Sequence, residues 1–436
     1  MGSAFLAACG GGGAGGEQAA GPSSAPVSLR YVHQWGAPFT PQLEKMLTDF
    51  TAKHPNVKAE QVRSNGEIHE HLVKALAGGE PPDVTMMWRS NMPGFAAKGG
   101  LTSLDPYMAR DKFDRAMYYE NELKSSQWQG KTFALPAAAA GAWYLLFYNE
   151  AHFREAGLEV TKPPQTWDEV TRYAGQLLKK GGDGRIERIG FDPGAYDAGT
   201  FNSFFTAWLM SNGGKYASED GKKLLFDSTQ ASAALDWMLQ ILRVNGGKET
   251  VAEFFGRARK NTHQALISGE RAMYVTNHSL PSNAVLVPEL KYGIGLLPRG
   301  NTNGARGIVR GGWSNAVPKG VKSPHESWLL TQYLCGTKEG GGWFMEQQVR
   351  PSPIKAVNEA PSLKALPHWN VITQGLQTDT LAPTTPMDPE IDRLTAKAIL
   401  DVYAGTSPRE AAAFAQREGQ RLLDEFWASV GSSSAK

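Results

Sequence analysis

Residues 27–88 alternate two hydrophobic periods, and that alternation constrains the fold more than any other feature of the chain. Val27-Ser28-Leu29-Arg30-Tyr31-Val32 alternates apolar and polar side chains, the two-residue period of a strand. Thr40-Pro41 supplies a helix N-cap and a proline at the first helical position. Leu43, Met46, Leu47 and Phe50 then fall on one face of a 3.6-residue repeat. Residues 57–62 read as a second strand and 68–77 as a second helix, stopped at Gly78-Gly79. Pro81-Pro82 breaks the chain before Asp83-Val84-Thr85-Met86-Met87-Trp88, a buried third strand. Strands separated by helices in this way predict a parallel sheet. Such sheets bind ligands outside the carboxyl ends of their strands, where Trp35 and Trp88 fall.

The middle of the chain is richer in helix. Residues 151–157, 167–179, 201–212, 228–244 and 262–268 read as helices, strand-like segments return at 272–276, 292–297 and 315–317, and a long helix spans 408–427. A length of 436 residues suits two domains. No internal repeat and no low-complexity linker follows Ala25, so two lobes must be joined by chain crossings. The composition is globular, with 41% hydrophobic and 20% charged residues and no apolar run of membrane-spanning length. A net charge of +2 with scattered basic residues argues against nucleic acid as a partner. The 12 Trp residues point mildly to ligand stacking, since indole combines an apolar face with a polar edge. The two cysteines, Cys9 and Cys335, are not expected to pair; Cys335 ends an apolar helical pattern and reads as a small buried hydrophobe.

Leu6-Ala7-Ala8-Cys9 resembles a bacterial lipobox, followed by a Gly/Ser-rich tether through Ala25. Residues 1–26 are therefore expected to be a lipobox remnant and tether. Cys9 would carry the lipid, which would be the sole membrane attachment. That places the native protein on the extracellular face of the cytoplasmic membrane or in the periplasm.

Further landmarks follow in order: Leu76-Ala77-Gly78-Gly79-Glu80-Pro81-Pro82-Asp83-Val84, Gly99-Gly100-Leu101-Thr102-Ser103-Leu104-Asp105-Pro106-Tyr107, Gly130-Lys131-Thr132-Phe133-Ala134-Leu135-Pro136, Leu146-Phe147-Tyr148-Asn149-Glu150 and Ala156-Gly157-Leu158. Pro163-Pro164-Gln165-Thr166-Trp167-Asp168-Glu169, Gly269-Glu270-Arg271-Ala272-Met273 and Gly311-Gly312-Trp313-Ser314-Asn315-Ala316-Val317-Pro318 complete the set. Together, across residues 27–427, they resemble the family 1 extracellular solute-binding proteins, the group that includes the maltose-binding protein. The resemblance implies an α/β class II periplasmic-binding-protein fold: two α/β lobes, three hinge crossings and an interlobe cleft. The expected lobes are 27–138 plus 276–335 and 139–275 plus 336–436, with crossings near 137–141, 273–277 and 334–337. It also implies a monomeric, non-enzymatic component of an ABC importer that binds a sugar or oligosaccharide by hinge closure and delivers it to a permease, with no cofactor and no metal.

A sugar presents an apolar C–H face and a rim of hydroxyls, so its site needs aromatic platforms and polar side chains. Trp88, followed by Arg89, Ser90 and Asn91, ends the third strand, where the family often contacts ligand. Trp313 follows two glycines that let the backbone approach a ligand. Trp35, Asn65 and Glu67 fall in loops after the first two strands, Trp143 beside the first crossing, and Asn277 after the Ala-Met landmark, where the family often has Trp. Asp192 and Arg350 complete the ligand-binding candidates, and no catalytic residue is expected. One rival reading keeps the fold but binds an anionic solute, a phosphorylated polyol or acidic sugar, with Arg89 and Arg350 as clamps. The other is a carbohydrate-active enzyme with a carboxylate pair drawn from Glu60, Glu67 and Asp192. His69-Glu70-His71 does not suit a metal, because i and i+2 diverge on a helix. There is no P-loop, nucleophile elbow or Cys-x-x-Cys.

Overall fold

A computed structural model describes residues 19–433 except 37–38, 142, 195–203, 258–261, 280, 282–286 and 288. Cys9, the expected lipid acceptor, lies outside the described residues. Among the described residues, ten strands build two five-stranded sheets. In chain order they are β1 (Val27–His33), β2 (Val57–Arg63), β3 (Val84–Trp88), β4 (Ala134–Pro136), β5 (Leu145–Asn149), β6 (Lys179–Lys180), β7 (Ile186–Asp192), β8 (Arg271–Thr276), β9 (Tyr292–Leu296) and β10 (Trp313–Ala316).

The first sheet has the order β2-β1-β3-β10-β4. β1 runs parallel to β2 from Val27↔Val57 to His33↔Arg63, and parallel to β3. This is the arrangement the alternating pattern predicts. The crossover helix Thr40–Lys53 buries Leu43, Met46, Leu47 and Phe50, the face expected from the periodicity. β10 arrives from far along the chain and pairs antiparallel with both β3 and β4, placing Trp313 opposite Trp88. The second sheet has the order β9-β5-β8-β7-β6. There β5 pairs antiparallel with β8 and β9, and β8 parallel with β7. Helix Trp167–Leu177 packs on β7, and its start carries the reciprocal capping box of Thr166 and Glu169. Helices Asp388–Tyr403 and Pro408–Ser433 pack on helix Thr229–Val244 beside it. The two sheets thus head two α/β lobes.

Two expected boundaries are corrected by the strand pairing. Residues 276–335 do not belong whole to the first lobe, because β9 hydrogen-bonds to β5 of the second sheet. Nor is 273–277 a crossing: β8 sits between β5 and β7, inside the second sheet. The chain crosses first between β4 and β5 and again between β9 and β10. The third crossing is also later than 334–337. Helix Pro324–Gly336 packs on the first sheet and Trp343–Gln347 on helix Thr40–Lys53, whereas helix Trp369–Gln377 packs on β9. The return therefore lies within 348–368. The misplacement has a simple cause. All five residues of β9 are buried, so its apolar run reads alike in either lobe.

Candidate ligand-binding site

The first crossing is organised by one buried ion pair. Arg89, 1% exposed, follows β3, and its Nη1 lies 2.6 Å from Oε2 of Glu122, which is fully buried. Oε1 of Glu122 accepts the backbone N–H groups of Ala140 and Gly141 at 2.6 and 2.7 Å. The guanidinium also donates to Ser125 Oγ, Ser314 Oγ and the carbonyl of Ala138. A buried ion pair with its remaining donors and acceptors satisfied fixes geometry. Arg89 therefore holds β3, β10 and the crossing strand together and has no donor to spare for a ligand. This removes it from the expected pair of anion clamps. The second crossing has its own anchor. Arg310 lies 2.6 Å from Asp392 and 3.4 Å from Asp388, with its guanidinium 3.9 Å from the Tyr216 ring centre. Burial lifts the Asp392 carboxyl to about 6 despite Arg310.

Beside the Arg89 anchor three indoles meet. Trp88 and Trp313, both half-buried, stack with ring centres 3.8 Å apart and planes 27° apart. Their opposition in the β3–β10 ladder puts them on the same face of the sheet. Trp143, on the first crossing, stands nearly perpendicular to Trp88 at 5.9 Å and to His278 at 5.8 Å. Gly311 and Gly312 both have φ of 79°, so the turn into β10 is left-handed, a region side chains disfavour. A Cβ on Gly312 would meet that of Ala140 at 3.1 Å. The glycines therefore allow one crossing to pass close to the other, a scaffold role in addition to the approach expected of them. His278 is fully buried after β8, its Nε2 2.9 Å from the carbonyl oxygen of Ala139. Burial, with the charge of Arg350 adding, pushes its pKa down to about 3, so the ring is neutral near pH 7.

The other candidates divide. Asp192 is 3% exposed and sits 3.1 Å from Arg271 while accepting the N–H of Gly194; an internal ion pair occupies it, and the expected ligand or carboxylate-pair role is withdrawn. Trp35 is 6% exposed and lies edge-on to Phe39 and Phe344 within the first-lobe core, so it is no open platform. Asn65 is exposed and Glu67 half-buried after β2, with Glu67 3.8 Å from His69. Asn91 is half-buried, in a turn that touches helix Asp388–Tyr403 of the other lobe. Asn277 spends its carbonyl oxygen on the N–H and hydroxyl of Ser279. Arg350 lies over the Trp35 and Phe39 rings, at 5.9 and 5.7 Å. Its Nε is closed from solvent without a hydrogen-bond partner, and burial draws its pKa down to about 10. The residue before it, Val349, has φ of 54°. A β-branched side chain is an outlier there, and the left-handed backbone costs roughly 1–2 kcal/mol.

Glu122 and Asp379 carry polar roles at the hinge that no spacing in the sequence announces. Asn121 Nδ2 donates to Asp379 Oδ1 at 2.8 Å, while Oδ2 is buried without a partner against Gly141. Burial, opposed by the Asn121 hydrogen bond and helped by the charge of Glu122, pushes Asp379 up to about 7. A cavity of about 570 Å³ opens beside it, lined by Tyr119, Asn121, Lys355 and Glu359 among others and by none of the ligand candidates.

Two α/β sheets, the first with a parallel core and the second mixed, joined by repeated chain crossings and meeting around an aromatic cluster, define the periplasmic-binding-protein class. The sequence profile of the family described as bacterial extracellular solute-binding protein matches residues 36–340, and the chain belongs to that family. The sn-glycerol-3-phosphate-binding periplasmic protein UgpB of Salmonella typhimurium is 26% identical over 434 residues, covering 93% of this chain and 94% of the relative. Among solved structures, CpMnBP1 with mannotriose bound has a TM-score of 0.74 at 22% identity, covering 90% of this chain and 99% of that one. The sugar-binding protein MalE from Xanthomonas citri gives 0.75 at 20% identity, covering 91% and 98%. The chain is a solute-binding protein of the kind that serves ABC importers, and its family consists of extracellular binding proteins rather than enzymes. No helix among the described residues is long and apolar enough to cross a membrane.

Proposed function

We propose that this protein captures a sugar or oligosaccharide between its lobes by hinge closure and passes it, chemically unchanged, to a membrane permease. The observation that carries this reading is the stacked, half-buried pair of Trp88 and Trp313 at the carboxyl end of β3, met by Trp143 from the crossing. Indole faces suit the C–H face of a pyranose. Asn65 and Glu67, after β2, and Asn91, after β3, are the polar groups suited to its hydroxyls. The sugar-bound relatives of the same fold support this choice of solute. Closure follows if the bound sugar makes contacts to both lobes that the open state lacks. The native protein is a monomer held to the membrane by a lipid on Cys9. Labelled palmitate should follow the precursor and vanish on Cys9→Ser, and equal labelling of that variant would contradict the anchor.

A thermal-shift panel of mono- and oligosaccharides, with chromatography of the recovered sugar, tests the main reading. At least one saccharide should raise the melting temperature in proportion to the logarithm of its concentration and be recovered intact. A hydrolysed sugar would contradict the binding role, and silence across the panel would contradict the saccharide class.

A further inference from the structure

We infer that the captured solute carries an oxyanion, a carboxylate or a phosphate, on its hydroxylated body, and that Arg350 receives it. The inference rests on reading the interlobe region as the ligand site. Arg350 sits on the third crossing, one residue before Pro351, whose carbonyl accepts the N–H of Ala139 on the first. It is therefore where two crossings meet, with Trp35 from the end of β1 beneath it and the buried His278 of the other lobe close enough to feel its charge.

Among the described residues no carboxylate lies within ion-pairing distance of the guanidinium, and its Nε makes no hydrogen bond. The shifted arginine remains protonated at neutral pH. His278 is neutral there, so it neither repels strongly nor compensates. The rings of Trp35 and Phe39 supply cation–π attraction but no counter-charge. The other arginines at the crossings are treated differently: Arg89 and Arg310 each face buried carboxylates. A half-buried, uncompensated cation presented by a strained backbone at Val349 is costly to the folded chain alone. It becomes favourable once an anion completes it, and a guanidinium accommodates carboxylate and phosphate oxygens through paired N–H donors. The indole pair would hold the ligand body while Arg350 selects its charge.

Matched ligand pairs test this by calorimetry: galacturonate against galactose, glucose 6-phosphate against glucose, and glycerol 3-phosphate against glycerol, with inorganic phosphate alone as a further probe. Wild type should bind one charged member at least about tenfold more tightly than its neutral partner. That preference should shrink with added salt and disappear in Arg350→Met, which keeps an apolar stem against Trp35. Arg350→Lys should recover part of it. Which pair responds distinguishes carboxylate from phosphate. Equal affinity for charged and neutral partners in wild type, or a preference that survives Arg350→Met, would overturn the inference while leaving the cleft reading intact. Inorganic phosphate binding as tightly as the phosphorylated ligands would also overturn it, marking a bare anion site. If no member binds, charged or neutral, the cleft reading fails and this inference with it.

Discussion

Arg89 and Arg350 stand at the same junction between lobes, and they are opposites. Arg89 is enclosed by Glu122, two serine hydroxyls and a backbone carbonyl. Arg350 has aromatic faces beneath it and, among the described residues, no acid opposite. In the first case the folded chain completes the charge itself, and the residue fixes how β3, β10 and the first crossing sit together. In the second no acid among the described residues completes the charge, and we propose that its completion comes from a bound solute. The same residue type thus serves as strut at one place and receptor at the other, and only the partners tell them apart.

Removing the strut should have the largest effect. Arg89→Met leaves the Glu122 carboxylate buried without its cation, and breaking such a pair costs roughly 3–5 kcal/mol. Urea unfolding should show that loss, and a variant within about 1 kcal/mol of wild type would mean that Glu122 is compensated elsewhere. The indole pair comes next. Because Trp88 and Trp313 stack on each other, their alanine substitutions should not be independent. A double-mutant cycle on ligand affinity should give a coupling of about 0.5–1.5 kcal/mol, and strict additivity would show that each ring acts alone.

A third contrast lies in pH. Burial raises the Asp379 carboxyl to about 7, above its unfolded value near 4. The folded state then holds a proton that the unfolded chain releases, so this group's contribution is full below about pH 4 and is lost as pH rises towards 7. Asp379→Asn should therefore gain stability relative to wild type between pH 5 and pH 8. Parallel stability profiles would contradict the raised carboxyl. The smallest effect is expected at the receptor. Arg350→Met removes an uncompensated charge and should leave the unligated melting temperature unchanged or slightly raised. A clear fall would make Arg350 a second strut.

Much of the frame was legible in the sequence. The alternation over 27–88 yields the parallel core of the first sheet, and the periodic runs near 167–179 and 228–244 are helices Trp167–Leu177 and Thr229–Val244. Cys335 is buried at 2% exposure, as its helical pattern suggests. What escaped were long-range pairings. β9 could sit in either sheet by its composition, and only its ladder with β5 assigns it. The same holds for the site. Trp88 and Trp313 each end or begin an apolar segment next to turn residues, a local signal. Asp192 shows the same local signal at the end of β7 but is occupied by Arg271, 79 positions away in the chain. Glu122 and Asp379 carry no local mark at all, because their roles are set by the groups that the fold brings to them from elsewhere in the chain.

The most direct test of the central claim is calorimetric titration of wild type, Trp88→Ala and Trp313→Ala with the solute that gives the largest thermal shift, using circular dichroism as the folding control. Loss of stacking and contact area should weaken binding by at least about tenfold in each variant while the fold is retained. Wild-type affinity in both variants, or unfolding of both, would contradict an interlobe ligand site built on this indole pair.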